Sequence, residues 1–271
     1  MIFGGFNCSN PNPIVILSIV IVTTLLASLL FAQKPLLTRV HSHNDYMQAR
    51  PLDEALENGF NSIEIDVFPL NGDLLVAHSA KEIKPDRTIE SLYFDKLSAR
   101  AKANKGAIYP GSRTTFWIMV DIKRNGEEAY TTLKQIIDRY PDLKPTKRNP
   151  KIRFVISGNR PYDLIAADNG AYAGIDGEFP DLEKHYSNEV MPWISGEWGK
   201  AFKWNGEGEI GPEDAAKMKE RVNAIHGQRK LVRFWGSPDN ERTWQAQWNA
   251  GVDLINTDHI SELRKWILGR K

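Results

Sequence analysis

The stretch "SIEIDVF", residues 62–68, alternates acidic and apolar residues. On a strand, Ile63, Ile65 and Val67 fall on one face and Glu64 and Asp66 on the other. Both acids lie inside an otherwise apolar run, where an unpaired charge is costly. Asn71-Gly72 follows, then the β-rich "GDLLVAHS" (72–79), which together predict a hairpin. Upstream, "LLTRVHS" (36–42) reads as a strand and "RPLDEALENG" (50–59) as a helix. Strand, helix, strand is the repeating unit of a parallel sheet.

The unit recurs along the chain. Further strands are expected at "FWIMVDIK" (116–123), "IRFVISG" (152–158), "AYAGIDG" (171–177), "MPWIS" (191–195), "LVRFWG" (231–236) and "VDLINT" (252–257). Several are continuous apolar runs, as when both faces of a parallel sheet are covered. Helical patterns lie between them at "GEEAYTTLKQIIDRY", "PYDLIAADNG", "GPEDAAKMKERVNAIHG" and "PDNERTWQAQWNAG". Many open on proline or an acid and close on glycine. About eight strands alternating with helices point to an α/β chain folded as a (β/α)8 TIM barrel.

In such a barrel the carboxyl ends of the strands carry the active site. His41, Glu64, Asp66, His78, Asp121, Lys123, Arg233 and Asp258 all fall at or just past such ends. Asp121 and Lys123 share one face of their strand, as Glu64 and Asp66 do. Residues two apart on a strand are about 7 Å apart, so carboxylates leaning together can share a cation. Three of them suit one hard divalent ion, Mg²⁺ or Ca²⁺, better than zinc. The plainer alternatives are a solvated acidic face for Glu64 and Asp66 and a structural ion pair for Asp121 and Lys123.

Composition bounds the rest. "IVILSIVIVTTLLASLLFA" (14–32) is uncharged and long enough to span a bilayer, so residues 1–33 read as a signal peptide or membrane anchor. The barrel domain is then 34–271, in an exported protein, secreted or periplasmic, with membrane association through that segment. The single cysteine, Cys8, precedes the apolar run, which excludes disulfides and thiolate sites from the barrel. A formal net charge of +1 gives no reason to expect a nucleic-acid partner. The basic "KPTKRNP" (144–150) reads as a solvated loop.

"HSHNDYMQARPLDEALENGFNSIEIDVFPLNGDLLVAHS" (41–79) resembles the opening of the glycerophosphodiester phosphodiesterase family. That PLC-like superfamily also holds phosphatidylinositol-specific phospholipase C and the sphingomyelinase D type of phospholipase D. The resemblance implies that His41 and His78 are the catalytic histidines and that Glu64, Asp66 and Asp121 bind the metal. It also implies that Lys123, in "MVDIK", contacts phosphate. Asp at position 121 is more like the sphingomyelinase D branch. "LVRFWGSPD" and "GVDLINTDHI" look like the motifs of the seventh and eighth strands. The family's His-Arg-Gly is His41-Ser42-His43 here, so its phosphate-binding arginine is absent, and Arg233 is the candidate to replace it. The "HSHNDY" opening is closest to a branch related to altered inheritance of mitochondria protein 6.

The expected chemistry is phosphodiester cleavage, with His41 and His78 as general base and acid on a small-molecule or lipid phosphodiester. Asn44 is a candidate phosphate contact or support for His41, and Trp235 is expected at the barrel mouth. One rival reading is a zinc hydrolase of amidohydrolase type built on His41-x-His43, although the fifth and sixth strands offer no further histidine. Another is a non-catalytic lipid- or headgroup-binding barrel using Trp193, Trp198 and Trp204 of the Gly-rich segment 193–214. In its plainer form those tryptophans pack the loop.

Overall fold

Eight parallel strands close on themselves, because a sheet with apolar residues on its outer face has to be covered by helices all round. The computed structural model describes residues 1, 35–146 and 151–270. The chain divides into two units, Met1–Pro35 and Leu36–Lys271. The run 14–32, Cys8 and most of the basic loop 144–150 lie outside the described residues. Among the described residues no helix is long and apolar enough to cross a membrane.

The strands are β1 (Val40–Ser42), β2 (Ser62–Leu70), β3 (Asp73–Val76), β4 (Phe116–Ile122), β5 (Ile152–Gly158), β6 (Ala173–Glu178), β7 (Trp193–Glu197), β8 (Leu231–Trp235) and β9 (Leu254–Thr257). Around the barrel they run β1-β9-β8-β7-β6-β5-β4-β2, and β1 pairs with β2 to close the ring. β3 is the hairpin partner of β2, antiparallel, outside the ring. The helices are α1 (Asp53–Glu57), α2 (Asp95–Ala103), α3 (Gly126–Arg139), α4 (Tyr162–Ala167), α5 (Trp198–Ala201), α6 (Pro212–Gly227), α7 (Glu241–Ala250) and α8 (Ile260–Gly269). After β6 the chain makes only a 3-10 turn, Phe179–Lys184. α2 was not expected from the sequence; it buries only Leu97 and Ala101, too sparse an apolar stripe to show.

The alternation of β2 holds round the barrel. Ile63, Ile65 and Val67, with Ile118, Val120, Ile122, Phe154, Ile156, Val232 and Phe234, belong to the large core. A separate small cluster of Met119, Val155, Trp193 and Leu254 fills the barrel interior. Above it the inward positions turn polar, and the site begins there.

The loop after β1 is folded round one buried carboxylate. Asp45 accepts hydrogen bonds from Ser42 Oγ (2.8 Å), the Leu52 backbone N–H (2.6 Å) and Tyr93 Oη (3.0 Å). The second of these holds Leu52 at φ 66°, a left-handed conformation that costs a branched side chain roughly 1–3 kcal/mol. Burial pushes the Asp45 carboxyl up from 3.8 to about 6. A carboxyl raised in this way contributes stability that is full below pH 3.8 and lost as pH rises through about 6. The shift corresponds to roughly 3 kcal/mol. In Asp45→Asn the amide oxygen can still accept from Leu52 and Tyr93, while its NH₂ donates to Ser42 Oγ. Urea denaturation at pH 4 and pH 7 should therefore show wild type losing about 2 kcal/mol relative to the variant across that interval. Parallel behaviour of the two proteins would rule out Asp45 as the source.

Candidate active site

β2 and β4 are in register, with Asp66 opposite Asp121 and Glu64 opposite Met119. Adjacent strands lie about 4.8 Å apart, so this register alone brings the two aspartates together. Glu64 joins them from one pleat deeper, and one oxygen of each of the three lies within 4.8 Å of the others. Among the described residues this is the group able to offer three ligands to one metal ion. Gly158, ending β5 at φ +67°, makes room for it: a Cβ there would press on Asp121 Oδ1 and on the Ile122 carbonyl.

The charges around the three acids do not balance. Glu64 accepts from Arg233 Nη2 at 2.6 Å and from His41 Nε2 at 3.1 Å. Burial would raise the Glu64 carboxyl, but Arg233 and His41 more than offset it and hold it well below the usual range. Lys123 Nζ bridges Asp66 Oδ2 at 2.6 Å and Asp121 Oδ1 at 3.0 Å. Burial lowers Lys123, yet the two aspartates raise it overall. Asp66 Oδ1 is buried with no hydrogen-bond partner. Burial, with Glu64 beside it, pushes the Asp66 carboxyl up to about 6. Farther round the floor, Asp176 accepts from Ser157 Oγ (3.0 Å) and Ser195 Oγ (2.5 Å), and burial raises it too. Five carboxylates, Glu64, Asp66, Asp121, Asp176 and Glu178, thus face three cations, Lys123, Arg160 and Arg233. An oxygen-only donor set with an orphaned buried oxygen fits one divalent cation.

The histidines are placed differently from expectation. His41 is 0% exposed and does not line the cavity. Its Nδ1 meets Ser62 Oγ at 2.7 Å, and its ring packs edge-on against Trp193 with centroids 5.8 Å apart. Burial, aided by Arg233, lowers its pKa to about 4, which favours the neutral ring. His43, one pleat higher on the same face, does line the cavity, as does His78. His43 Nδ1 lies 2.9 Å from Asp258 Oδ1. Burial opposes protonation of His43, but Asp258 overrides it and raises its pKa. His78 Nδ1 lies 3.0 Å from Tyr46 Oη, and Tyr46 Oη is 2.6 Å from Asp66 Oδ2 and 2.9 Å from Asn44 Oδ1. Asn44, at φ 45°, also lies against His43, with its amide 3.3 Å from His43 Nδ1.

These groups surround a cavity of about 310 Å³ at the carboxyl ends of the strands. Asn44, Lys123, Arg233 and Trp235 line it, and Asp258 stands behind His43. Arg233 is not a free phosphate cation, because its guanidinium is spent on Glu64, on Asn256 Oδ1 (2.7 Å) and on Asp176 (3.7 Å). The zinc reading finds no support in the H-x-H pair, whose rings turn to Glu64 and to Asp258 respectively. Trp193 is buried in the barrel interior, and the buried Trp198 and its neighbour Trp204 bond through their indoles to loop carbonyls and pack their segment. Tyr46, Asp176 and Arg160 were not singled out in the sequence. For Asp176 the signal was there, a lone acid inside the apolar strand "AGID".

Residues 31–174 match the AIM6-like phosphodiesterase domain, and residues 232–260 match the glycerophosphoryl diester phosphodiesterase family. The altered inheritance of mitochondria protein 6 homolog of Arthroderma benhamiae is 26% identical over 258 residues, covering 82% of this chain and 81% of that protein. Altered inheritance of mitochondria protein 6 of Saccharomyces cerevisiae is 26% identical over 273 residues, covering 82% and 68%. A crystal structure from Agrobacterium tumefaciens, assigned as a glycerophosphoryl diester phosphodiesterase, aligns with TM-score 0.48 at 11% identity. That alignment covers 86% of this chain and all (100%) of the other.

The two histidines should separate in their effect on stability. His41→Ala leaves a hole against Trp193 and takes one partner from a buried carboxylate, at a cost of about 3 kcal/mol. His43→Ala removes a part-exposed ring and should change unfolding free energy by less than about 1 kcal/mol. Chemical denaturation of both variants checks this, and equal losses would contradict the different depths of the two rings.

Proposed function

The chain belongs to the AIM6-like phosphodiesterase domain family, and on that premise we propose that its barrel mouth cleaves a glycerophosphodiester or (lyso)phospholipid-type substrate with one divalent cation, Mg²⁺ or Ca²⁺. The observation that carries this reading is the grouping of Glu64, Asp66 and Asp121 beside the cavity that His43 and His78 line. The three carboxylates would hold the cation, which when bound offsets negative charge on the non-bridging phosphate oxygens.

The chain's own residues divide the proton transfers between them. Tyr46 has one proton, and its shortest contact is to Asp66, so its oxygen is left to accept from His78 Nδ1–H. That fixes His78 with a free lone pair on Nε2, ready to take the proton of the attacking oxygen. His43 gives its Nδ1–H to Asp258 and is held toward the imidazolium form, so its Nε2–H can protonate the departing alkoxide. The acid–base role expected for His41 passes to His43, since a wholly buried ring cannot reach a substrate. Lys123 supplies positive charge beside Asp66 and Asp121, where it can turn to a phosphate oxygen. A cavity of about 310 Å³ suits a glycerophosphoryl-sized group.

Purified protein assayed on glycerophosphocholine, glycerophosphoglycerol and lysophospholipids should turn over at least one of them with added Mg²⁺ or Ca²⁺, and lose that activity in EDTA. His43→Ala and His78→Ala should each lower kcat by about 10²–10⁴-fold. Lys123→Met should also slow turnover, yet bind the divalent ion more tightly in calorimetry because the competing ammonium is gone. Full activity in EDTA, or in His43→Ala, would sink the proposal.

A further inference from the structure

A second cavity, of about 340 Å³, adjoins the first. Glu178, Ser195 and Trp235 line both, so the two are compartments of one cleft. The second compartment is formed by the segments that follow β6 and β7 and is backed by Arg221 of α6. Gly196 is a condition of its shape: a Cβ there would collide with the Phe179 ring. Phe179 in turn carries the Arg221 guanidinium at 4.1 Å from its ring centroid.

The acids and bases of this compartment are matched except for one. Glu178 is answered by Arg160 Nη2 at 2.5 Å, and Glu197 by Lys200 Nζ at 2.6 Å. The Arg221 side chain makes no ion pair or hydrogen bond among the described residues, and its guanidinium sits over the Phe179 ring. The acid that bears on it is Glu220, its exposed chain neighbour, which does not line the compartment. A guanidinium held over a ring, with its N–H groups unpartnered among the described residues, keeps a fork that can receive phosphate or carboxylate through two hydrogen bonds.

Building on the phosphodiesterase reading of the first cavity, we propose that this second compartment is the subsite for the substrate's alcohol portion and selects an alcohol bearing its own anionic group, held by Arg221. A quaternary-ammonium headgroup would instead find the carboxylates here already paired and the unpaired charge of its own sign. Trp235, 42% exposed and common to both compartments, forms the wall along which the alcohol passes from the phosphorus to Arg221.

The test compares glycerophosphoglycerol with its terminally phosphorylated counterpart, with glycerophosphocholine as the cationic control, on wild type and Arg221→Gln in the presence of Mg²⁺. Wild type should favour the phosphorylated substrate in kcat/KM by about tenfold, and Arg221→Gln should bring that ratio to about one. A readout without turnover is calorimetric binding of glycerol 1,3-bisphosphate against glycerol 1-phosphate. The same tenfold preference should appear in wild type and vanish in the variant. A wild-type preference for the neutral or cationic substrate overturns the proposal, as does an Arg221→Gln variant that keeps the wild-type ratio. Should no phosphodiester be cleaved while the bisphosphate preference persists and depends on Arg221, the anion subsite stands and the phosphodiesterase reading falls.

Discussion

Arg233 is the point at which the barrel is tied together. From β8 its guanidinium reaches Glu64 on β2, Asn256 on β9, Met119 on β4 and Asp176 on β6. A charge this deep persists only if its partners are fixed, because losing one of them leaves an uncompensated ion in a low-dielectric interior. The arrangement therefore constrains the depth of Glu64 and, through the shared pleat, the height at which Asp66 and Asp121 emerge. His41 completes the layer from β1 by meeting the same Glu64 oxygen, and Trp193 seals it from beneath. The floor of the cavity is rigid for electrostatic reasons, and what stands on it inherits that rigidity.

Much of this was legible in the sequence, and the missing part has one physical cause. A strand's period of two fixes which face a side chain takes, so "SIEIDVF" and "WIMVDIK" announced a common face for Glu64, Asp66, Asp121 and Lys123. Parity says nothing of depth. His41 and His43 share a face, as do Arg233 and Trp235, yet one of each pair is buried in the barrel and the other reaches its mouth. Depth is set by stagger between strands, here by His41 standing opposite Asn256 on β9, and no local pattern encodes it. Tyr46 escaped notice for a related reason: a tyrosine in a short loop has no period to betray its face, and its role comes from three partners distant in sequence or across the loop.

The unequal charges of the two compartments give the cleft a direction. On the catalytic side carboxylates exceed cations, and burial of Asp66 and Asp176 turns that excess into raised carboxyl pKa values. On the other side Arg221 is the surplus charge, stacked on a ring that only a glycine at 196 can accommodate. The Arg160–Glu178 pair stands between them and contributes no net charge to either. A phosphodiester lying along Trp235 would feel the acid-rich end at its phosphorus only through a cation already seated there, since bare carboxylates repel phosphate. Its far end would feel the guanidinium directly. On the proposed reading, cation binding and substrate orientation would be linked: without the ion an anionic substrate would be drawn toward Arg221 and away from the histidines. With the ion in place, the field along the cleft would favour a single orientation of such a substrate.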